Sequence, residues 1–203
     1  MYMNDDLLKA VGVVIGGIVA TVTPFIVTWI KKKFNKEEEG KSFIHNAEYR
    51  VKINEALVEI RTFLGANRVS IVEYHNGNTA INGLPFNYAS MTYEKSDLTT
   101  KEVMMNFQKV PISPTCELLL DVHTSDEGHV KVDKSYTHQD VVEFYKYYGI
   151  ETVYVFRIGD HIKYGTLQVM WIQEHEDLTS DDLQELHYKV MYINSLMAKM
   201  KKY

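Results

Sequence analysis

The chain has 203 residues, 45% hydrophobic and 12% aromatic, with 22 basic against 27 acidic side chains and a formal net charge of −5. That length supplies one domain of ordinary size, and the acidic balance excludes the broad basic footprint by which nucleic-acid-binding proteins displace counterions. A single cysteine excludes an internal disulfide framework and a cysteine-based zinc site, and it fits a reducing compartment.

Residues 1–9 form a short extracytoplasmic N-terminus ahead of Ala10–Ile30, AVGVVIGGIVATVTPFIVTWI, 21 residues without a charge. At about 1.5 Å rise per residue, such a run spans a roughly 30 Å hydrocarbon core. A signal peptide would begin with basic residues and carry a shorter apolar stretch; here Asp5 and Asp6 precede the run and KKKF follows it. The sequence thus predicts a retained, single-pass transmembrane helix. Lys31, Lys32, Lys33 and Lys36, set against Lys9, place the C-terminal part in the cytoplasm, so the expected location is the inner, cytoplasmic membrane. Those lysines also suit anionic lipid headgroups. Gly12, Gly16 and Ala20 share one small-residue row, a GxxxG step for helix association, although glycine is also common in membrane helices generally.

Residues 31–42 are a charged juxtamembrane linker, and 43–203 a cytoplasmic domain. From Phe43 to Leu64, Ile53, Leu57, Ile60 and Leu64 make one helical stripe, while Ile44, Ala47, Val51 and Val58 make another. A helix apolar on two stripes packs on its own domain and on a second copy. NRVSIVEYH alternates as a strand, and LPFNYASMTYE reads as its hairpin partner. Ser96–Leu120 reads as helix in pieces, broken by Pro111 and Pro114, with Thr99 or Thr100 as N-cap. HVKVD is a short strand, DVVEFYKYY a helix stopped by Gly149, and ETVYVFRIG and YGTLQVMWI two further strands. A helix capped by Thr179 or Ser180 closes the chain, with Leu183, Leu186, Val190, Ile193 and Met197 on one face. The fold class is therefore α+β, an antiparallel sheet with helices packed on it.

GIETVYVFRIGD, GTLQVMWI and LTSDDLQELHYKVMYINSLM resemble the closing strand pair and final helix of the GAF domain, a sensory module related to PAS domains. The resemblance covers about Phe43 to Met200. RVSIVEYHNGN followed by NGLPF resembles a variant found in small phage-associated membrane proteins. It implies a module that binds a cyclic nucleotide, tetrapyrrole or small metabolite, or that dimerises and passes on a signal. Three specialised activities are not expected. His161 follows Asp160 where the phosphodiesterase-type motif has glutamate, Glu117 follows Cys116 where bilin-binding relatives commonly have histidine, and sulfoxide-reductase relatives need several cysteines.

In that fold the pocket lies between the sheet and the helical middle segment, and the hairpin borders it. His75, Asn76, Asn78 and Asn82 offer donors and acceptors there, and Tyr88 and Tyr93 offer flat apolar faces. The competing account makes Asn76-Gly77 and Asn82-Gly83 simply turn residues. His123, His129 and His138 follow no metal spacing and read as solvated loop residues; Cys116 reads as a small buried residue, and Glu73 and Glu94 as solvated carboxylates. No metal and no cofactor is expected beyond an unidentified small-molecule ligand. The functional expectation is a non-enzymatic, membrane-anchored, phage-encoded module for ligand sensing or protein interaction, forming a homodimer or higher homo-oligomer. The alternatives are a phage holin or antiholin working through the membrane helix, and a structural component of a phage particle.

Overall fold

The computed structural model describes residue 28 and residues 44–75, 87–159 and 164–200. The expectations for Gly12, Gly16, Ala20, Lys31, Lys32, Lys33 and Lys36, for the hairpin turn with Asn76, Asn78 and Asn82, and for Asp160 and His161 lie outside the described residues. Among the described residues no helix is long and apolar enough to cross a membrane. The chain divides into two compact units, Met1–Ala47 with Lys201–Tyr203, and Glu48–Met200. In the first, Thr28 and residues 44–47 are helical.

The second unit is built on one antiparallel sheet. Its strands are β1 (Arg68–His75), β2 (Tyr88–Ser96), β3 (Val110–Pro111), β4 (His129–Val132), β5 (Thr152–Gly159) and β6 (Tyr164–Trp171), in the order β3-β2-β1-β6-β5-β4. The helices are α1 (residues 48–63), α2 (Cys116–Thr124), α3 (Gln139–Tyr147) and α4 (Ser180–Lys199). Strands β1 and β6 sit at the centre, so both their faces are covered, and their alternation divides two packed layers.

On one face, Val69, Ile71, Tyr154, Phe156, Leu167, Val169 and Trp171 pack against Ile53, Leu57 and Ile60 of α1 and Leu186, Val190 and Ile193 of α4. The expected inner stripes of both helices are the buried ones. The second α1 stripe faces out, with Val51 and Val58 exposed. Met191 of α4 is 68% exposed, because the residues one turn apart that meet the sheet are Leu186, Val190 and Ile193. Helix α4 starts with a reciprocal capping box: Asp182 N donates to Thr179 Oγ1, and Thr179 N and Oγ1 donate to Asp182 Oδ2. Gly149, at φ +71°, ends α3 in a left-handed turn.

The opposite face carries two separate apolar clusters. Val132, Val153, Val155 and Met170 pack under Leu118 and Val122 of α2 and Val141, Val142 and Tyr145 of α3. Val72, Ala89 and Met91 pack under Val103, Met104, Phe107 and Ile112. The helix expected from Ser96 with a threonine cap is absent from this stretch. Residues 97–107 run as turns, followed by the short strand β3, a 3-10 turn at Ser113–Thr115, and α2. Side-chain carboxylates take up the backbone donors a helix would need. Asp97 Oδ1 accepts from Thr99 N and Thr100 N, and Glu94 accepts from Val103 N and Met104 N.

Candidate functional site

The two central strands carry polar residues on the α2–α3 face. Cross-strand pairing sets them in rows: Glu94, Ser70 and Gln168 in one, Met91, Val72 and Thr166 in the next, with Arg68 opposite Ser96 and Met170. A bulge in the β1–β2 pairing leaves Thr92 as an extra residue between Met91 and Tyr93, opposite Val72 and Ile71. Ser70 is fully buried, Thr166 1% exposed and Gln168 7% exposed. Gln168 Nε2 donates to Thr166 Oγ1 at 3.2 Å, and Thr166 Oγ1 lies 3.3 Å from Tyr74 Oη. Ser70 Oγ has no hydrogen-bond partner among the described residues. A polar seam therefore runs between the two apolar clusters. Phe107 bridges it, with its ring 6.1 Å from Phe144 and 5.8 Å from Tyr148 of the α3 region.

Phenols complete the wall. Burial pushes the Tyr74 hydroxyl up to about 12, against the opposing pull of its hydrogen bond to Thr166, so it stays protonated. Burial also raises Tyr145 well above the ordinary phenol value, with Tyr74 close enough to add to the effect. Cys116, expected to be buried, is exposed at the start of α2, where its Sγ faces the Ile112 carbonyl.

One end of the seam is closed by an ion pair. Arg68 Nε lies 2.8 Å from Glu94 Oε1, and both side chains are nearly inaccessible, at 3% and 1%. Glu94 is therefore not the solvated carboxylate expected. Its strand turns it inward, where it meets Arg68 and the amides of Val103 and Met104. Arg68 Nη2 donates to Lys101 O at 2.7 Å. Next to it, Asp97 is held well below the ordinary carboxylate range by hydrogen bonds from Thr99, then Asn67 and Thr100. A carboxyl depressed in the folded state contributes stability above its unfolded value, near 4, and loses it as pH falls. The difference in thermal midpoint between the native chain and Asp97→Asn is accordingly expected to shrink on acidification from about pH 5 to 2. A constant difference would mean that the carboxylate charge plays no part.

The hairpin residues lie elsewhere. Tyr93 belongs to the α1–α4 cluster, and its hydroxyl faces Met200 Sδ at 3.8 Å. Alternation from Val72, Ala89 and Met91 puts His75 and Tyr88 on that same side, where their rings stack at 6.4 Å and His75 Nε2 sits 2.8 Å from Ser90 Oγ. The structure thus does not bring them to the seam. His129 is not a loop residue either; it sits on β4, stacked on Phe156 at 5.1 Å and in edge contact with His187 at 5.4 Å. Among the described residues no group of His, Cys, Asp and Glu is arranged to hold a metal. The seam residues escaped sequence reading because they occupy the polar half of an alternating strand, the half normally assigned to solvent.

The fold is that of GAF domains. A phycoerythrobilin-bound GAF domain from a cyanobacterial phytochrome superposes with a TM-score of 0.58 at 15% identity, covering 80% of this chain and 95% of that one. The phycocyanobilin-bound GAF domain from a cyanobacterial phytochrome gives 0.59 at 15%, covering 80% and 94%. The GAF domain of a two-component sensor histidine kinase from Bacillus halodurans gives 0.51 at 12%, covering 72% and 92%. No protein-family profile matches the sequence, and no curated protein does.

Proposed function

We propose that this chain is a ligand-sensing module whose small-molecule site is the polar seam between β1, β6 and the α2–α3 layer. The observation that carries the reading is the Ser70 hydroxyl, fully buried at the junction of two apolar clusters and left without a partner. A buried hydroxyl with no partner destabilises the fold, and a bound ligand is one way of supplying the missing bond. Two solved neighbours hold bilins in domains of this fold, which supports a ligand in general and not that ligand. The test is a thermal-shift and mass-spectrometric ligand screen on the full chain. A saturable hit that raises the midpoint by mass action and is lost in Ser70→Ala supports the site. A hit unaffected by that change places binding elsewhere.

The module is proposed to be anchored by Ala10–Ile30 with its domain on the cytoplasmic side, on the strength of the uncharged run and its lysine flank. A phage origin is proposed on the resemblance of RVSIVEYHNGN followed by NGLPF. A homodimer is proposed through the outer surfaces of α1 and α4, where Val51, Val58, Tyr188 and Met191 are exposed. In detergent, cross-linking of the native chain should give a dimer that Val58→Glu with Met191→Glu abolishes. A dimer that persists in the double variant removes these helices as the interface.

A further inference from the structure

His187 of α4 faces a carbonyl oxygen with each of its ring nitrogens. Nδ1 lies 2.7 Å from Leu183 O, one turn back on its own helix, and Nε2 lies 3.0 Å from Glu127 O, in the turn between α2 and β4. A carbonyl oxygen only accepts, and a neutral imidazole carries a single N–H. The neutral ring therefore serves one of these carbonyls and turns a lone pair toward the other, whereas the imidazolium donates to both. The turn is fixed from its other side. Gly128 N donates to Ser125 O at 3.1 Å, Arg157 N to Gly128 O at 3.0 Å and Ser125 Oγ to His129 O at 3.0 Å, with Gly128 at φ +70°. The Glu127 carbonyl is thus held in place by β4 and β5, and His187 reaches it from the closing helix.

The groups around the ring come from each packed element. From β4, His129 meets it in edge contact at 5.4 Å, and from β5 Phe156 does so at 5.3 Å. Burial holds His129 below the ordinary imidazole value, with the Glu127 carbonyl and carboxylate pulling the other way, so its ring is neutral at about pH 7 and sets no second charge beside His187. From the turn, the Glu127 carboxylate is 75% exposed and lies 3.4 Å from His129 Nε2. Lys131, two residues further along β4, is taken up by Asp133 and Asp177. Arg157 alternates to the other face of β5, where it donates to the His123 carbonyl. On α4 itself, Gln184, Tyr188 and Met191 line an open cleft of about 440 Å³ together with His187, so water and protons reach the ring.

We infer that His187 is a proton-operated latch between the closing helix and the turn at Glu127: with both ring nitrogens protonated it ties Leu183 O to Glu127 O, and on losing one proton it releases one of them. Imidazole changes charge between about pH 5 and 8, so the second contact is present on the acid side and is lost as pH rises. The experiment is NMR of the full chain in detergent, with nitrogen labels in the histidine rings and carbon labels in the leucine and glutamate carbonyls, at about pH 5.5 and 8. At the lower pH both His187 nitrogens should carry protons. At the higher pH one proton should be gone, and one of the two carbonyl signals should have moved with the same midpoint. Protection of the Gly128 amide, corrected for base-catalysed exchange, should fall about fivefold, the equivalent of one hydrogen bond. His187→Phe keeps a ring beside His129 and Phe156 without either donor, and its carbonyl signals and protection should not depend on pH. His187→Gln, with one carboxamide in place of the charged ring, should show the high-pH pattern at both values. Glu127→Gln should keep the native response, because the carbonyl and not the carboxylate makes the contact. Carbonyls that do not titrate with the His187 ring, or a response that persists in His187→Phe, would overturn the latch. A response lost in Glu127→Gln would assign it to the carboxylate and His129 and would overturn the latch as well.

Discussion

Glu94→Ala is expected to lower the stability of the domain by about 3–5 kcal/mol, the range for breaking a buried ion pair from one side. The size follows from what the carboxylate holds. It neutralises an arginine whose side chain is 3% accessible, and it accepts from the backbone of Val103 at 3.0 Å and Met104 at 2.7 Å. Alanine leaves a buried guanidinium without its counter-charge and two amides without acceptors, in a stretch that has no helix or strand to supply others. At about 2–4 °C per kcal/mol for a domain of this size, the midpoint should fall by roughly 6–20 °C. Arg68→Met is the informative partner. With both changes the unpaired charge is gone, so the double variant should lose less than the sum of the singles by at least about 1 kcal/mol. Strict additivity would show that the pair is not coupled and would refute this account of how residues 97–107 are fastened to the sheet.

The second large effect has the opposite sign. Ser70→Ala should stabilise the free chain by about 1–3 kcal/mol, the penalty for a buried polar group left unsatisfied. The side chain is fully buried and loses only its oxygen, so the cavity created is small. The same change is expected to abolish the ligand-induced rise in midpoint. A gain in stability together with a loss of binding is the pattern of a site kept at the expense of the fold. Urea unfolding of the two chains without ligand reads the first half, and the screen reads the second. A destabilised Ser70→Ala would mean that the hydroxyl is already satisfied, and the seam would lose its claim to be a binding site.

How far the sequence carried this picture varies with the element. TVYVFRIG and YGTLQVMW were legible as strands because β-branched and aromatic residues alternate and a polar turn separates them. The closing helix was legible from Thr179 and the stripe of Leu186, Val190 and Ile193, and both readings agree with the capping box and the core. The middle segment, read as helix in pieces around Pro111 and Pro114, was legible only in part: α2 follows the prolines, whereas before them Asp97 and Glu94 capture the amides that a helix would have used. Propensity lost there to hydrogen bonds from the loop's own amides to the Asp97 and Glu94 carboxylates.

The site was less legible for a different reason. Asparagine, glycine and histidine around the β1–β2 hairpin draw attention because turn residues are chemically conspicuous, yet His75, Tyr88 and Tyr93 take the α1–α4 side. Ser70, Thr166 and Gln168 look like the solvent half of an amphipathic strand. By itself, then, the sequence determined the antiparallel strands, the two helices with their inner stripes, and the apolar run of Ala10–Ile30. Only the tertiary structure decided that the polar half of β1 and β6 is buried, because a period of two separates the faces of a strand but cannot say whether the second face meets water or another layer of protein.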